Sequence, residues 1–396
     1  MEATRHGAAG SATGYLYQCE RALLELLTQA SINPDLTLFM EKLDDIHLEE
    51  SGRPVDILQV KHHTGPGGSL TDESRDLWRT LDVWMDLLPT LDSDEDPEFA
   101  LLTTSQAPDD SAASYLRESD GRNPDEALQR LLKVAQNSTV EGTAKVRERF
   151  VRVDPEVRMR LIEAIVVRDA EPRIHELDAR LESELRTGVR REHMAGFIES
   201  LKGWWYARSV ALLTKSEPAI ALGDLLNKVH DLRDSYHPEN LPFDWDLGEP
   251  SETEQVSYAT SLFIRQLRWI AASDELLRIA IDDYHRSFTN RSRWLRLGLL
   301  RPGELDGYER RLVAEWKRQH AFMRVDLGSN ATEIENQQAG RDLWRQVSDS
   351  SMIRIRVRFQ EQTLNRGTYH DLAERQLVGW HPLFEERIRS LLEGAA

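Results

Sequence analysis

Cysteine is almost absent from this 396-residue chain: Cys19 is the single one. One thiol excludes an intramolecular disulfide framework and a cysteine-based zinc site. It fits a reducing compartment, so a cytoplasmic location is expected. No apolar run reaches the length of a membrane-spanning helix, and "MEATRHGAAGSATGYLYQ" lacks the apolar core of a secretory signal. No GxxxxGK[ST] motif occurs, so the chain is not expected to power itself with ATP. Positive charge is also scarce. Fifty Lys and Arg against 68 Asp and Glu leave a net charge of −18. That excludes a generic nucleic-acid coat, which binds by releasing counterions from clustered Lys and Arg. A local basic patch, or an acid-lined metal site, stays compatible with it. His6, His47 and His193 have no spacing that suggests a zinc pair, and no Ser/His/Asp or nucleophilic-cysteine arrangement is visible.

What is present is a chain long enough for two or three domains. Apolar residues at Tyr15, Leu16, Cys19, Leu23, Leu24, Leu26 and Leu27 have helical spacing, and Asn33-Pro34-Asp35 breaks it. Residues 36–49 read as a strand, 51–54 as a turn and 55–63 as a second strand, together a β-hairpin. "TGPGGS" (64–69) is a flexible loop, "DESRDLWRTLDVWMDLL" an amphipathic helix and "PEFALLTTS" a further strand. This order predicts an α/β domain with a mixed sheet over residues 1–110. Helical patterns follow at 124–136, 155–168, 173–188, 192–214 and 219–235. They suggest a helical middle domain over 111–240. The Pro- and acid-rich 238–252 reads as a linker. A mainly helical C-terminal domain over 241–396 includes one strand candidate, "MIRIRVRF" at 352–359.

The stretch "DILQVKHH" (56–63) carries the chemistry. Side chains alternate along a strand, so Gln59 and Lys61 share one side and Leu58 and Val60 the other. Asp44 and Asp45 end the preceding strand, and antiparallel neighbours lie about 5 Å apart. A carboxylate, a Gln carbonyl and strand carbonyls are hard oxygen ligands suited to Mg²⁺ or Mn²⁺. A lysine beside such an ion can orient an attacking water and stabilise charge on a phosphate. Glu41 can reach the same face. Asp44 and Asp45 cannot both face inward, and Asp45 is preferred because it directly precedes the apolar Ile46. By alternation His63, not His62, points the same way as Lys61, as a rim or phosphate contact or as a catalytic base. The plain alternative for Asp45, Gln59 and Lys61 is a solvated face with a cross-strand ion pair.

Asp45, followed fourteen positions later by Gln59-Val60-Lys61, resembles the D…QxK variant of the PD-(D/E)xK restriction-endonuclease-like nucleases. "GYLYQCERALLELL" is similar to their first helix, where Gln18, or alternatively Glu20, would face the site. More narrowly, "GYLYQ…EKLDDIHLE…LQVKHH…LTDESRDLWRTLDVW" resembles the double-stranded DNA endonuclease domain of bacterial anti-phage effectors, those of CD-NTase systems and those paired with HerA-type ATPases. The likeness covers roughly residues 10 to 110. It implies a Mg²⁺- or Mn²⁺-dependent endonuclease with Asp45, Gln59, Lys61 and Glu41 as catalytic residues. Asp45 and Gln59 would be the metal ligands, and Gln18, Asp44 and His63 would support them. Gln59 in place of the commoner acid leaves less formal charge on the metal, so a catalytically inactive adaptor is the competing reading. RNA is the other possible substrate.

"YHRSFTNRSRWLRLGLLRPGELDGYERRLVAEWKRQH" and "LVGWHPLFEERI" resemble the C-terminal domain of ABC-three-component defence proteins. That resemblance implies an assembly or sensing module accompanying an ATPase partner, HerA-type or AAA/ABC-type, and a homo-oligomer is expected. Arg354, Arg356 and Arg358 alternate with apolar residues, and Arg286, Arg291, Arg293 and Arg296 surround Trp294. Both sets are candidate DNA-backbone or subunit contacts. Trp204-Trp205 and Trp380 read as packing anchors, and Cys19 as core.

Overall fold

The structure is a computed structural model that describes residues 8–63, 68–91, 97–328, 330–349 and 352–393. The Gly-rich loop expected at 64–69 lies outside the described residues over 64–67. The chain divides into two compact units, one formed by 1–189 with 197–231, the other by 190–196 with 232–396. No helix among the described residues is long and apolar enough to cross a membrane.

The first unit is an α/β body. It runs α1 (Ala8–Gln29), β1 (Leu36–Met40), β2 (Ile46–Glu50), β3 (Arg53–Lys61), α2 (Arg75–Leu87), β4 (Glu98–Thr103), α3 (Ala112–Tyr115), α4 (Pro124–Asn137), α5 (Ala144–Arg152), α6 (Pro155–Ala164), β5 (Ile165–Arg168), α7 (Leu177–Leu185), α8 (Met194–Leu213), β6 (Ile220–Ala221) and α9 (Leu222–Ser235). The six strands lie in the order β5-β4-β3-β2-β1-β6. The strands β1, β2 and β3 form an antiparallel meander, and β6 is antiparallel to β1. The pairs β3–β4 and β4–β5 are parallel. The expected mixed sheet is therefore present.

Two local readings change. The segment 36–49 is not one strand: a turn at 41–45 splits it, with Glu41 at a left-handed φ of 53° and its N–H bonded to the Asp45 carbonyl at 3.2 Å. The strand pair then closes through Ser51 and Gly52, both at positive φ, the geometry that matches the twist of a tight hairpin. The helix expected over 155–168 stops at Ala164. Ile165-Val166-Val167 instead pairs with β4, because β-branched residues favour a buried strand once a partner edge is available.

Parallel strands at the centre of a sheet are covered on both faces. In β3, Ile57, Leu58, Gln59 and Val60 are all buried. The Ile57 side packs into one core with Phe99, Leu101, Ile165 and Val167 of the sheet and Trp78, Leu81 and Trp84 of α2. Leu77, Trp78, Leu81, Trp84 and Met85 recur at helical spacing, so α2 buries one stripe. Truncating a buried tryptophan of this kind to alanine costs about 3–5 kcal/mol.

The second unit is built on α10 (Glu252–Thr260), α11 (Leu262–Trp269), α12 (Asp274–Arg296), α13 (Glu304–Leu327), α14 (Glu333–Ser348), α15 (Gln362–Glu374) and α16 (Phe384–Glu393). Gly367 lets α15 lie against α12, since a Cβ there would meet the Asp283 carbonyl oxygen and the Ser287 side chain. The acidic stretch 238–252 is not a free linker. Trp294 donates to the Pro242 carbonyl at 2.6 Å, and the Asp244 N–H donates to Asn290 at 2.8 Å. Nor is 352–359 a strand: the described residues there form turns, with Arg356 turned inward.

Candidate functional site

Ile46 pairs with Leu58 in the antiparallel ladder. One step beyond that last pair, Asp45 sits opposite Gln59. The Gln59 side-chain amide donates to Asp45 Oδ2 at 2.5 Å, and the Val60 N–H donates to the same oxygen at 2.8 Å. The turn at 41–45 therefore aims the Asp45 carboxylate at β3.

Its neighbour faces elsewhere. Asp44 Oδ2 accepts from the Trp84 indole N–H of α2 at 2.7 Å, and Oδ1 accepts from the Asp45 N–H at 2.9 Å. Burial pushes the Asp44 carboxyl up to about 7, helped by the adjacent Asp45 charge and opposed by the Trp84 bond. Glu41 is also raised, first by burial and then by Asp45, with Lys61 pulling it down. These mutual influences bring Glu41, Asp44, Asp45 and Lys61 into one neighbourhood with Gln59.

Gln59 and Lys61 share a side, as alternation requires, and that side is the α2 core face rather than water. Gln59 is 5% exposed. Lys61, at the C-terminal end of β3, is half-buried and makes no ion pair within 4.0 Å among the described residues. Two positions on, His63 lies on α2, its Nε2 2.7 Å from Asp76 Oδ2. His62 turns to the opposite face, where its ring packs against Tyr17, tilted by 31° with centroids 4.4 Å apart. Neither α1 candidate joins the cluster. Gln18 makes no hydrogen bond to it among the described residues, and the Glu20 carboxylate meets Tyr206 at 2.6 Å and Lys202 at 2.9 Å.

Trp84 and Asp76 are the participants that sequence reading did not single out. Both sit on α2 and reach the site only through tertiary packing. The one local signal was an acid, Asp76, in the first turn of α2.

No group of three or more His, Cys, Asp or Glu among the described residues is placed to hold a metal ion. A small hard cation needs less: Mg²⁺ is commonly held by one or two carboxylates while keeping several waters. Asp45 Oδ1 and the Gln59 side-chain oxygen Oε1 accept no hydrogen bond among the described residues. With Glu41 beside them, this oxygen donor set fits Mg²⁺ or Mn²⁺.

The arginines of the second unit are engaged internally. Arg356, 6% exposed, pairs with Glu304 at 2.8 Å and donates to the carbonyls of Leu299 at 2.6 Å and Asn240 at 2.7 Å. Arg291 pairs with Glu309 and Asp371, and Arg293 with Asp244. Arg286 pairs with Asp282. Arg354 and Arg358 stay exposed, with Arg354 bonded to the Val357 carbonyl and Arg358 3.7 Å from Asp234. The expected comb of three guanidinium groups is not formed, because no strand is there to present it.

Comparison with known proteins bears on this second unit. Residues 263–388 match C-terminal domain 7 of the ABC-three component (ABC-3C) systems. The domain takes in α12 to α15 whole, including the α12–α15 crossing and the Arg291 ion pairs. No curated protein sequence matches the chain. Solved structures with partial likeness include the Acinetobacter baumannii Cap4 SAVED/CARF-domain containing receptor, at 14% identity and TM-score 0.32, over 70% of this chain and 61% of that one. The same receptor with the cyclic trinucleotide 3′3′3′-cAAA aligns at 13% identity and TM-score 0.32, over 56% and 49%. The chain thus spans about half to three-fifths of the length of these structures.

Proposed function

We propose that this chain is the metal-dependent DNA endonuclease subunit of an ABC-three-component anti-phage defence system. The observation that carries the reading is the Asp45–Gln59 contact at the end of the central strand, with the Lys61 ammonium, without an ion pair among the described residues, on the same face. The match of residues 263–388 to domain 7 supports the defence setting and an ATPase partner.

Asp45 and Gln59 would hold Mg²⁺ or Mn²⁺, which when bound polarises the phosphate and acidifies a coordinated water. The Val60 N–H fixes the Asp45 rotamer. Burial of Gln59 between α2 and the sheet fixes the second ligand. Lys61 orients the attacking water and neutralises charge that develops on the phosphate oxygens. Asp44, held by Trp84, shapes the turn rather than meeting substrate.

The test uses the full chain with plasmid DNA, linear DNA and RNA, in Mg²⁺, Mn²⁺ or EDTA, alone and with a candidate ATPase partner of the ABC-three-component type. Divalent-dependent DNA cleavage that Lys61→Ala abolishes, with folding unchanged, is the expected result. Preferential cleavage of RNA would reassign the substrate. No cleavage in any condition, with no metal binding by calorimetry, would make the chain an adaptor.

A further inference from the structure

The cleavage chemistry proposed for Asp45, Gln59 and Lys61 supplies an activated water but no proton for the departing sugar oxygen. We infer that the His63–Asp76 pair supplies it, an inference that rests on the endonuclease reading.

Three observations converge on His63. First, its backbone is pinned beyond the end of β3: the Thr104 N–H donates to the Lys61 carbonyl at 3.2 Å, and the His63 N–H donates to Thr104 Oγ1 at 2.9 Å. The chain stays extended there, and strand alternation continues through residues 61 to 63. His62 goes to Tyr17 and His63 to α2. Second, Asp76 in the first turn of α2 holds Nε2 at 2.7 Å. A carboxylate on one ring nitrogen orients an imidazole for proton transfer at the other. Third, that other nitrogen, Nδ1, has no partner among the described residues, and the His63 side chain is 43% exposed. The pair is open to substrate.

A side-chain contact with this exposure contributes about 0–1 kcal/mol to stability, so folding alone gives little reason for it. Its placement suits the chemistry. Alternate residues on a strand lie about 7 Å apart, so Lys61 and His63 can address opposite sides of one phosphodiester. In the step, the water oxygen bonds to phosphorus and loses its proton to solvent. The bond from phosphorus to the sugar oxygen breaks, and the proton on Nδ1 passes to that oxygen. Asp76 keeps the Nε2–H and stabilises the imidazolium before transfer. Solvent then reprotonates the ring. Asp76 is thus a positioning residue.

The experiment compares the full chain with His63→Ala, His63→Gln and Asp76→Asn. Substrates are duplexes carrying either oxygen or bridging sulfur at the leaving position of a mapped cleavage site. General-acid catalysis is worth about 10²–10⁴-fold. Both His63 variants should therefore slow oxygen cleavage by about that factor. Both should return to within about tenfold of the parent on the sulfur substrate, since a thiolate leaves without a proton. Asp76→Asn should lower kcat with KM unchanged and be rescued in the same way. Parental rates for His63→Ala on the oxygen substrate would overturn the inference alone. So would equal slowing on both substrates, the mark of a phosphate contact or a folding defect. A parent chain that cuts neither duplex would overturn the endonuclease reading and this inference with it.

Discussion

One cation of the first unit contrasts with the arginines of the second, although Arg21, Arg117, Arg149 and Arg168 of the first unit are ion-paired too. In the second, guanidinium groups that look available in the sequence are bound to the protein's own carboxylates and carbonyls. Arg356 has three partner residues, and Arg291 two. In the first, one lysine at the end of the central strand has no ion-pair partner among the described residues, although acids lie close by. Density of positive charge is therefore a poor guide to function in this chain. An unpaired cation held beside carboxylates at a strand end is the more informative feature, because the fold has left its charge unsatisfied.

Substitution of the two cations should separate the units most sharply. Lys61→Ala is expected to lower DNA cleavage by at least about 10²-fold, the scale of losing one preorganised charge from a transition state. Its melting temperature should match the parent's. A comparable loss of melting temperature would show that Lys61 is structural. Arg356→Ala should do the reverse. With Glu304 losing its ion pair and the Asn240 and Leu299 carbonyls their buried donor, stability falls by about 3–5 kcal/mol, read by chemical denaturation.

A smaller effect concerns pH, and its sign differs between a buried carboxyl and a buried imidazole. Burial and the nearby Glu98 raise Asp56 of β3 from 3.8 to about 6. The native state then binds more proton than the unfolded chain between those values, so this contribution to stability is lost as pH rises from about 4 to about 6. His370 of α15 is lowered by burial from 6.5 to about 3. Here the unfolded chain binds more proton, and stability is lost as pH falls from about 6.5 to about 3. Asp56→Asn should flatten the first slope and His370→Phe the second, in unfolding followed by a probe within each unit. Equal slopes in parent and variant would remove the corresponding assignment. The smallest effect is expected for Arg354→Ala. Its exposed guanidinium bonds one carbonyl, so stability should change by no more than about 0.5 kcal/mol.

Part of the site was legible in the sequence because it depends on local geometry. Alternation alone puts Gln59, Lys61 and His63 on one side and His62 on the other. Adjacency of two strands brings Asp45 to Gln59. The turn at 41–45 was not legible, since its apolar-polar pattern also fits an unbroken strand. Nor was β5, whose Ile165-Val166-Val167 suits either a buried helix or a buried strand until β4 is beside it. The α1 candidates illustrate the limit in another way: Glu20 is an acid at helical spacing, but its partners Tyr206 and Lys202 lie far along the chain.

By itself, then, the sequence determined the class of the N-terminal sheet, the side of β3 on which the polar residues lie, and the likeness of the C-terminal region to ABC-three-component proteins. These follow from the period of the backbone and from contiguous motifs. The tertiary structure alone decided that this side of β3 is a core face under α2, that Trp84 holds Asp44, that Asp76 meets His63, and that Arg356 is buried. Each of these depends on a contact between residues distant in the chain. Burial and the pairing of charge are properties of what packs against a side chain, and no local pattern carries them.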